Sequence, residues 1–293
     1  MLRQKGSNPQ VLRFKTQAEG VNGACPIGHR GSVLPNISIL PLDFRLRFFP
    51  PINRRTSCRR KLNLKSQNPK MQLYPVYPLL YPILKSSFPQ CLWKGNPNSK
   101  KVALTFDDGP HPQYTSELLK VLDHYQIKAS FFWLGVCVER AVPVAKQVHS
   151  RGHWIGLHGY YHHNFPLLSQ TELKQSLEKT QTAIQNACNL PPEKVRDIRP
   201  PNGLFTPRTL QLFNQWNYRP VMWTVVPEDW VRPGIAKVTQ RVIQNSQNGS
   251  LIVLHDGIFG GQDVAQTTQI IIPKLLEQGY SFVTIDTLWQ EKE

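Results

Sequence analysis

The segment Thr105-Phe106-Asp107-Asp108-Gly109-Pro110 closes the short apolar run Val102-Ala103-Leu104-Thr105-Phe106 with two adjacent carboxylates and a Gly-Pro breaker. Such a pattern predicts a buried strand that delivers Asp107 and Asp108 to its C-terminal edge, where the chain enters a loop. Two like charges side by side repel. A fold keeps them when a metal ion, a guanidinium or a shared proton compensates. The plain alternative is one Asp capping the next helix beside a solvated one.

Outward from this segment, strands and helices alternate from residue 99 onward. Strands are expected at Val102–Phe106, Ala129–Leu134, Trp154–Leu157, Asp197–Pro200, Val221–Val225, Ser250–Leu254 and Ser281–Ile285. Helices are expected near Thr115–Tyr125, Val138–Arg151, Ser169–Cys188, Thr206–Trp216, Ile235–Asn245 and Val264–Gln278. Thr206-Pro207 reads as an N-cap with proline at the first helical position, and Gly152 and Gly279 sit where helices stop. Seven short strands alternating with helices imply an α/β fold with a parallel sheet covered by helices, open or closed into a barrel. In such folds chemistry gathers at the C-terminal strand ends.

Net charge misleads until it is located. Residues 1–70 hold 14 Lys and Arg against 2 Asp and Glu, so they carry +12 of the total +16; the remainder is nearly neutral. This basic tail lacks strand or helix periodicity and reads as disordered. A composition change at Met71 makes a true start there an equal reading. Residues 71–98 read as a proline-rich lead-in, and 99–290 as the folded domain. A basic arm touching nucleic acid or anionic lipid through charge alone is the lesser alternative, and no nucleic-acid partner is expected because its only support is residues 1–70. Neither a spanning apolar segment nor a signal peptide is readable. Five dispersed cysteines, without a CxxC pair, indicate neither a disulfide framework nor a thiolate zinc site.

Four further clusters fall after expected strands. His158 and His162, spaced i, i+4 after Trp154-Ile155-Gly156-Leu157, share one face if the segment forms a helical turn. With one carboxylate they make a His₂Asp set, a composition used by catalytic zinc; a surface histidine cluster is the alternative. His149, His153 and His163 lack the spacing and read as solvated or capping. Arg199-Pro200-Pro201-Asn202-Gly203 is a rigid turn. Arg199 can grip a carboxylate there, and the amide of Asn202 or Gly203 can face a substrate oxygen. Trp223 to Trp230 offers Asp229 as an imidazole partner and Trp230 as a sugar platform or pocket wall. Leu251 to Gly257 ends in His255-Asp256, placing His255 as a general acid or as a capping histidine.

Taken in chain order, these five segments resemble the polysaccharide deacetylase family (NodB homology, carbohydrate esterase family 4) over about residues 100–290. The resemblance implies a distorted (β/α)₇ barrel of parallel strands with helices outside. It implies hydrolysis of acetyl groups, chiefly N-acetyl, on a glycan such as peptidoglycan or chitin oligomers. The implied cofactor is a divalent metal, zinc first with cobalt or manganese as alternatives. Asp107 takes the part of general base, Arg199 orients it, His255 is the general acid and Asp229 tunes that histidine. Asp108, His158 and His162 are the implied metal ligands. Asn202, Gly203, Trp230 and Val253 form the implied substrate-binding set.

Three positions depart from the family pattern. Gly159 stands where Ser or Thr is usual, Asn202 where an aromatic is usual, and Val226 where an Asp opens the fourth motif. These changes bear on substrate class, since every group the mechanism requires is present. A weakly catalytic carbohydrate binder on the same scaffold is the alternative function, and an amidase for non-sugar substrates another. A glycan substrate implies an extracytoplasmic location. The oligomeric state is open.

Overall fold

The computed structural model describes residues 77–292. The expectations for residues 1–70, and for 71–76 of the lead-in, lie outside them. Element order is α1 (Tyr77–Ser87), β1 (Lys101–Asp107), α2 (Tyr114–His124), β2 (Ser130–Trp133), α3 (Gly135–Arg140), α4 (Val142–Ser150) and β3 (Trp154–Leu157). There follow α5 (Gln170–Cys188), β4 (Asp197–Ile198), α6 (Pro207–Gln215), β5 (Arg219–Pro220), α7 (Ile235–Asn245), β6 (Leu251–His255), α8 (Gly261–Glu277), β7 (Ser281–Phe282) and α9 (Ile285–Gln290).

All seven strands pair in parallel, in the order β5-β4-β3-β2-β1-β6, with β7 forking off the start of β1. The path from β5 to β6 is a half-barrel. An isolated parallel bridge between Val225 and Ile252 carries the chain after β5 back beside β6. This is the distorted seven-stranded barrel that the motif order implies.

β1 is central, and six of its seven residues are buried, which is why it reads as a continuous apolar run rather than an alternating one. Phe106, Phe131, Phe132 and Trp133 are fully buried around it, each burial contributing about 1.5–3 kcal/mol. α5 starts at a capping box, Ser169 with Glu172, and α6 at Thr206 with Thr209 and Pro207 in its first turn. Both starts satisfy amide groups that a helix end otherwise leaves open.

Several expected boundaries move. The helix expected over Val138–Arg151 is two helices broken at Ala141 (φ −132°). Pro143 lacks the N–H a continuous helix requires and instead sits in the first turn of α4. Val221–Val225 is buried but is not a strand. Its ends bridge to Leu92 and Ile252, while the ladder pairs run through Arg219 and Pro220. Its apolar character reports burial, not pairing. β7 stops at Phe282 because Thr284 begins α9. The lead-in contains a helix that its prolines conceal: α1 tolerates Pro82 because Tyr77, Tyr81 and Leu84 all pack on the core.

Under the barrel, Asp197 gathers β3, β4, β5 and α9. Its carboxylate is fully buried and accepts from Trp154 Nε1 (2.7 Å), Trp289 Nε1 (3.1 Å) and both Arg219 Nε and Nη2 (2.9 and 2.8 Å). Asp197→Ala leaves a guanidinium and two indole N–H groups without their acceptor. We expect it to cost about 3–5 kcal/mol, read as a lowered urea midpoint; a loss below ~1 kcal/mol would show that the network is not a stabilising hub.

Candidate active site

Strand alternation puts Thr105 and Asp107 on the interior face of β1. Arg199, just past β4, enters the same interior and is fully buried. Its Nη1 donates to Asp107 Oδ1 at 2.7 Å and to Thr105 Oγ1 at 2.8 Å; Nη2 donates to the Met222 carbonyl at 2.9 Å. The rings of Phe132 and Trp223 lie 4.1 and 5.6 Å from the guanidinium carbon. Burial pushes the Asp107 carboxyl up, and the charges of Arg199 and His255 offset this only in part. A carboxylate held above its usual range is a better proton acceptor near neutral pH.

Asp108 faces the other way from its neighbour. Its φ of 74° is left-handed, an uncommon state for a residue with a side chain and one that gathers at functional sites. Asp108 Oδ1 is buried without a hydrogen-bond partner. His158 Nε2 and His162 Nε2 approach it at 3.5 and 3.6 Å. The two histidines do not sit on a helical turn, as their spacing suggests. Residues 158–164 form an irregular loop with Gly159 at φ 88°, and this turn brings the rings within 5.2 Å. A Cβ on Gly159 would meet the Tyr161 carbonyl at 3.0 Å and the Phe165 ring at 3.1 Å, so the loop's path accounts for glycine where Ser or Thr is usual.

The donor set suits a divalent cation. One ligand atom from each of Asp108, His158 and His162 lies within 4.8 Å of the others. Burial and the neighbouring His162 hold the His158 imidazole well below its usual range, so it is neutral. Its Nδ1 donates to the Arg199 carbonyl at 2.7 Å, which leaves the Nε2 lone pair facing Asp108. Fixing the tautomer through the far nitrogen is the usual device for orienting an imidazole ligand. With Asp108 Oδ1 otherwise orphaned, the residues present fit a metal.

Across the groove, Asp229 holds His255 twice: Oδ2 accepts the His255 backbone N–H at 2.7 Å, and Oδ1 accepts from Nδ1 at 2.9 Å. Burial alone would lower the imidazole, but Asp229, then Asp108 and Asp107, outweigh it and push its pKa up to about 9. Asp107 and His255 are direct partners in the β1–β6 ladder. Trp230 sits edge-on to His255 with ring centroids 5.1 Å apart, so it is a pocket wall at that histidine. Asn202 adopts φ 55° and bonds Asn164 through its side chain at 2.7 Å. The Gly203 amide is taken by the Pro200 carbonyl at 2.9 Å, which leaves the Asn202 amide as the candidate donor. A Cβ at Gly203 would strike the Trp223 ring at 2.6 Å. Val253 is core, 2% exposed, and lies under His255 on the same strand face instead of lining an open groove. His153, expected to be solvated or capping, is buried, and its Nδ1 accepts the Ala129 amide at 3.1 Å.

Three contributors escape the motif reading. Thr105 was legible from the period of two that relates it to Asp107. Glu228, buried at φ 59°, pairs with Arg241 of α7 at 3.0 Å and anchors the turn that carries Asp229; no spacing rule links them. Asp256 is fully buried against Gly109 and accepts from Thr115 Oγ1. Burial pushes its pKa up to about 7, with Asp108 and Asp107 adding to the rise.

Comparison with known proteins agrees with this geometry. Residues 94–221 match the family model described as polysaccharide deacetylase. A peptidoglycan-N-acetylglucosamine deacetylase of Bacillus cereus is 34% identical over 208 residues, covering 68% of this chain and 93% of the relative. A chitooligosaccharide deacetylase of Azorhizobium caulinodans is 30% identical, covering 63% and 92%. Among solved structures, a peptidoglycan N-acetylglucosamine deacetylase in complex with a hydroxamate-type benzamide superposes with TM-score 0.67 at 30% identity, covering 71% of this chain and 97% of the other. A carbohydrate esterase family 4 pseudoenzyme from Bacillus anthracis superposes with TM-score 0.60 at 31% identity, covering 67% of each. The chain belongs to the polysaccharide deacetylase family.

If Asp108, His158 and His162 form the cation site, His158→Ala lowers zinc affinity by more than roughly 100-fold in calorimetric titration. His163→Ala, one residue outside the set, leaves it within about twofold of the parent. Equal losses in the two variants would mean the ligands are wrongly assigned.

Proposed function

We propose that this enzyme removes N-acetyl groups from an N-acetylglucosamine-containing polysaccharide, of the peptidoglycan or chitin-oligomer type, and releases acetate. The observation that carries this reading is the pairing of Asp107 and His255 across adjacent strands, each with its own tuning partner, beside a His₂Asp set. The named activities of the relatives support the substrate class. A cell-wall glycan substrate argues for an extracytoplasmic reaction, and we propose that location.

Asp108, His158 and His162 would hold the divalent cation, zinc by donor chemistry. When bound, such a cation supplies Lewis-acid polarisation of the acetyl oxygen and a more acidic water. Asp107 accepts the proton of the attacking water; Arg199 holds one carboxylate oxygen and leaves the other to the substrate side. Asp229 fixes the Nδ1–H tautomer of His255, so that protonated Nε2 faces the groove and passes its proton to the departing nitrogen. The Asn202 amide donates to the developing oxyanion. The amine leaves as a free amino sugar, and the acetyl group with the water oxygen leaves as acetate.

A second reading, a weakly catalytic sugar binder, draws on the structural likeness to a pseudoenzyme and on Asn202 and Val226 in the groove motifs. Acetate release from N-acetylglucosamine oligomers and from peptidoglycan, with and without added zinc, separates the two. In the enzyme reading, Asp107→Asn reduces release by roughly 10²–10⁴-fold while zinc binding persists. No release from either polymer, with zinc bound, would favour the binder.

The acid role of His255 has a pH signature. The proton-loaded imidazole is the active form, so kcat/KM declines as pH rises through its pKa, near the value of about 9 that Asp229 sustains. Asp229→Asn removes the raising charge and moves that alkaline limb to lower pH. An unmoved limb in the pH–rate profile would assign the acid elsewhere.

A further inference from the structure

Helix α1 is apolar on two sides, and the barrel covers one of them. Tyr77, Tyr81 and Leu84, with Phe88 just beyond, pack against the main core. Tyr77 also donates from its hydroxyl to the Trp223 carbonyl at 2.7 Å, which ties the helix to the domain. The other side presents Leu79, Leu80 and Ile83, exposed by 73%, 43% and 63%. An apolar helix face left in water beside basic residues suits the boundary between water and an acyl phase.

The charge beside this face has one sign. From Met71 to Phe106 the sequence holds four lysines and no Asp or Glu, and residues 44–70 add nine Lys and Arg, again without an acid. In the fold, Lys85 at the end of α1 lies close enough to Lys94 and Lys292 that its charge joins burial in lowering both of their ammonium groups. Lys292 Nζ donates to the carbonyls of Pro89 and Cys91 at 2.7 and 2.9 Å, so the C-terminal lysine is folded onto the chain leaving α1. Lys94 Nζ reaches only a neutral acceptor, Gln247 Oε1, at 3.1 Å.

We propose that the α1 face of Leu79, Leu80 and Ile83, with Lys85, Lys94 and Lys292 at its edge, docks this domain peripherally on an anionic lipid bilayer. The apolar side chains enter the headgroup–acyl boundary while the Lys85 and Lys94 stems extend so that their ammonium groups meet lipid phosphates; Lys292, held by two backbone carbonyls, adds its charge from within the fold. A second copy is a poorer occupant. Two-fold pairing across α1 would bring each lysine cluster near its own duplicate. A nucleic acid would satisfy the lysines and leave the leucines and isoleucine without a partner. The proposal is independent of the reaction at the groove.

The test is sedimentation of the full chain with vesicles of phosphatidylglycerol and, separately, of phosphatidylcholine. Binding to phosphatidylglycerol is expected, weaker in high salt and much weaker on phosphatidylcholine. The double variant Leu79→Glu/Ile83→Glu should reduce partitioning by roughly tenfold or more, as should Lys85→Glu/Lys94→Glu. Thermal unfolding unchanged from the parent certifies that both variants are folded. Three results would overturn the proposal: no vesicle binding by the parent chain, binding undiminished in folded Leu79→Glu/Ile83→Glu, or a parent dimer in solution that this variant dissolves. The second would assign binding to the basic residues upstream, and the third would make the face a contact between copies.

Discussion

The buried ion pair between Arg199 and Asp107 is the constraint around which the rest of the structure is arranged. A guanidinium with no exposure is tolerable only when its charge is met and its donors are used. Here Asp107, Thr105 and the Met222 carbonyl accept from its two terminal nitrogens, two aromatic rings cover its faces, and Nε alone of its nitrogens has no partner. Lysine has neither the fork nor the flat face to fill that place. The demand explains the turn that follows: Pro200 and Pro201 stiffen the exit of β4, and Gly203 lets the chain pass flush against Trp223.

Three carboxylates converge at the end of β1 and its neighbour β6, and each is reconciled with burial differently. Asp107 is met by a permanent cation. Asp108 is left with an orphaned oxygen facing two imidazoles, an arrangement that a divalent ion would complete. Asp256 is pushed up to about 7, where a proton can neutralise it, and it leans on a threonine hydroxyl. One strand edge therefore holds an ion-paired carboxylate, a proposed cation ligand and a near-neutral acid without their charges adding up. Asp229 stands apart from this group and keeps His255 charged, which sets an imidazolium beside the Asp107 carboxylate across the β1–β6 ladder.

Much of this was legible in the sequence because strand ends are marked by local rules. A continuous apolar run followed by a breaker locates β1 and β3 to within a residue, and it puts Asp107, Asp108 and His158 at one sheet edge. The histidine pair was identified by a spacing that suits a helix, yet the chain solves the same problem with a left-handed glycine. The spacing named the right residues through the wrong geometry. Burial patterns misplace β5 because an apolar stretch can bridge at both ends without joining a ladder. Prolines hide α1, whose helicity depends on packing against the barrel. The Glu228–Arg241 pair and the contact of Asp256 with Gly109 arise only after the chain has closed, so no linear pattern records them.

Arg199 also acts at its other end. Its carbonyl oxygen accepts from His158 Nδ1 and so sets which nitrogen of that imidazole faces Asp108. The guanidinium belongs to the side chain, and a single codon change removes it. The carbonyl belongs to the peptide unit, which every amino acid supplies. A substitution at this position therefore removes the support of Asp107, while the peptide unit still supplies a carbonyl for His158. One residue thus serves both neighbours by different parts: the side chain steadies Asp107, and the backbone turns an imidazole toward Asp108.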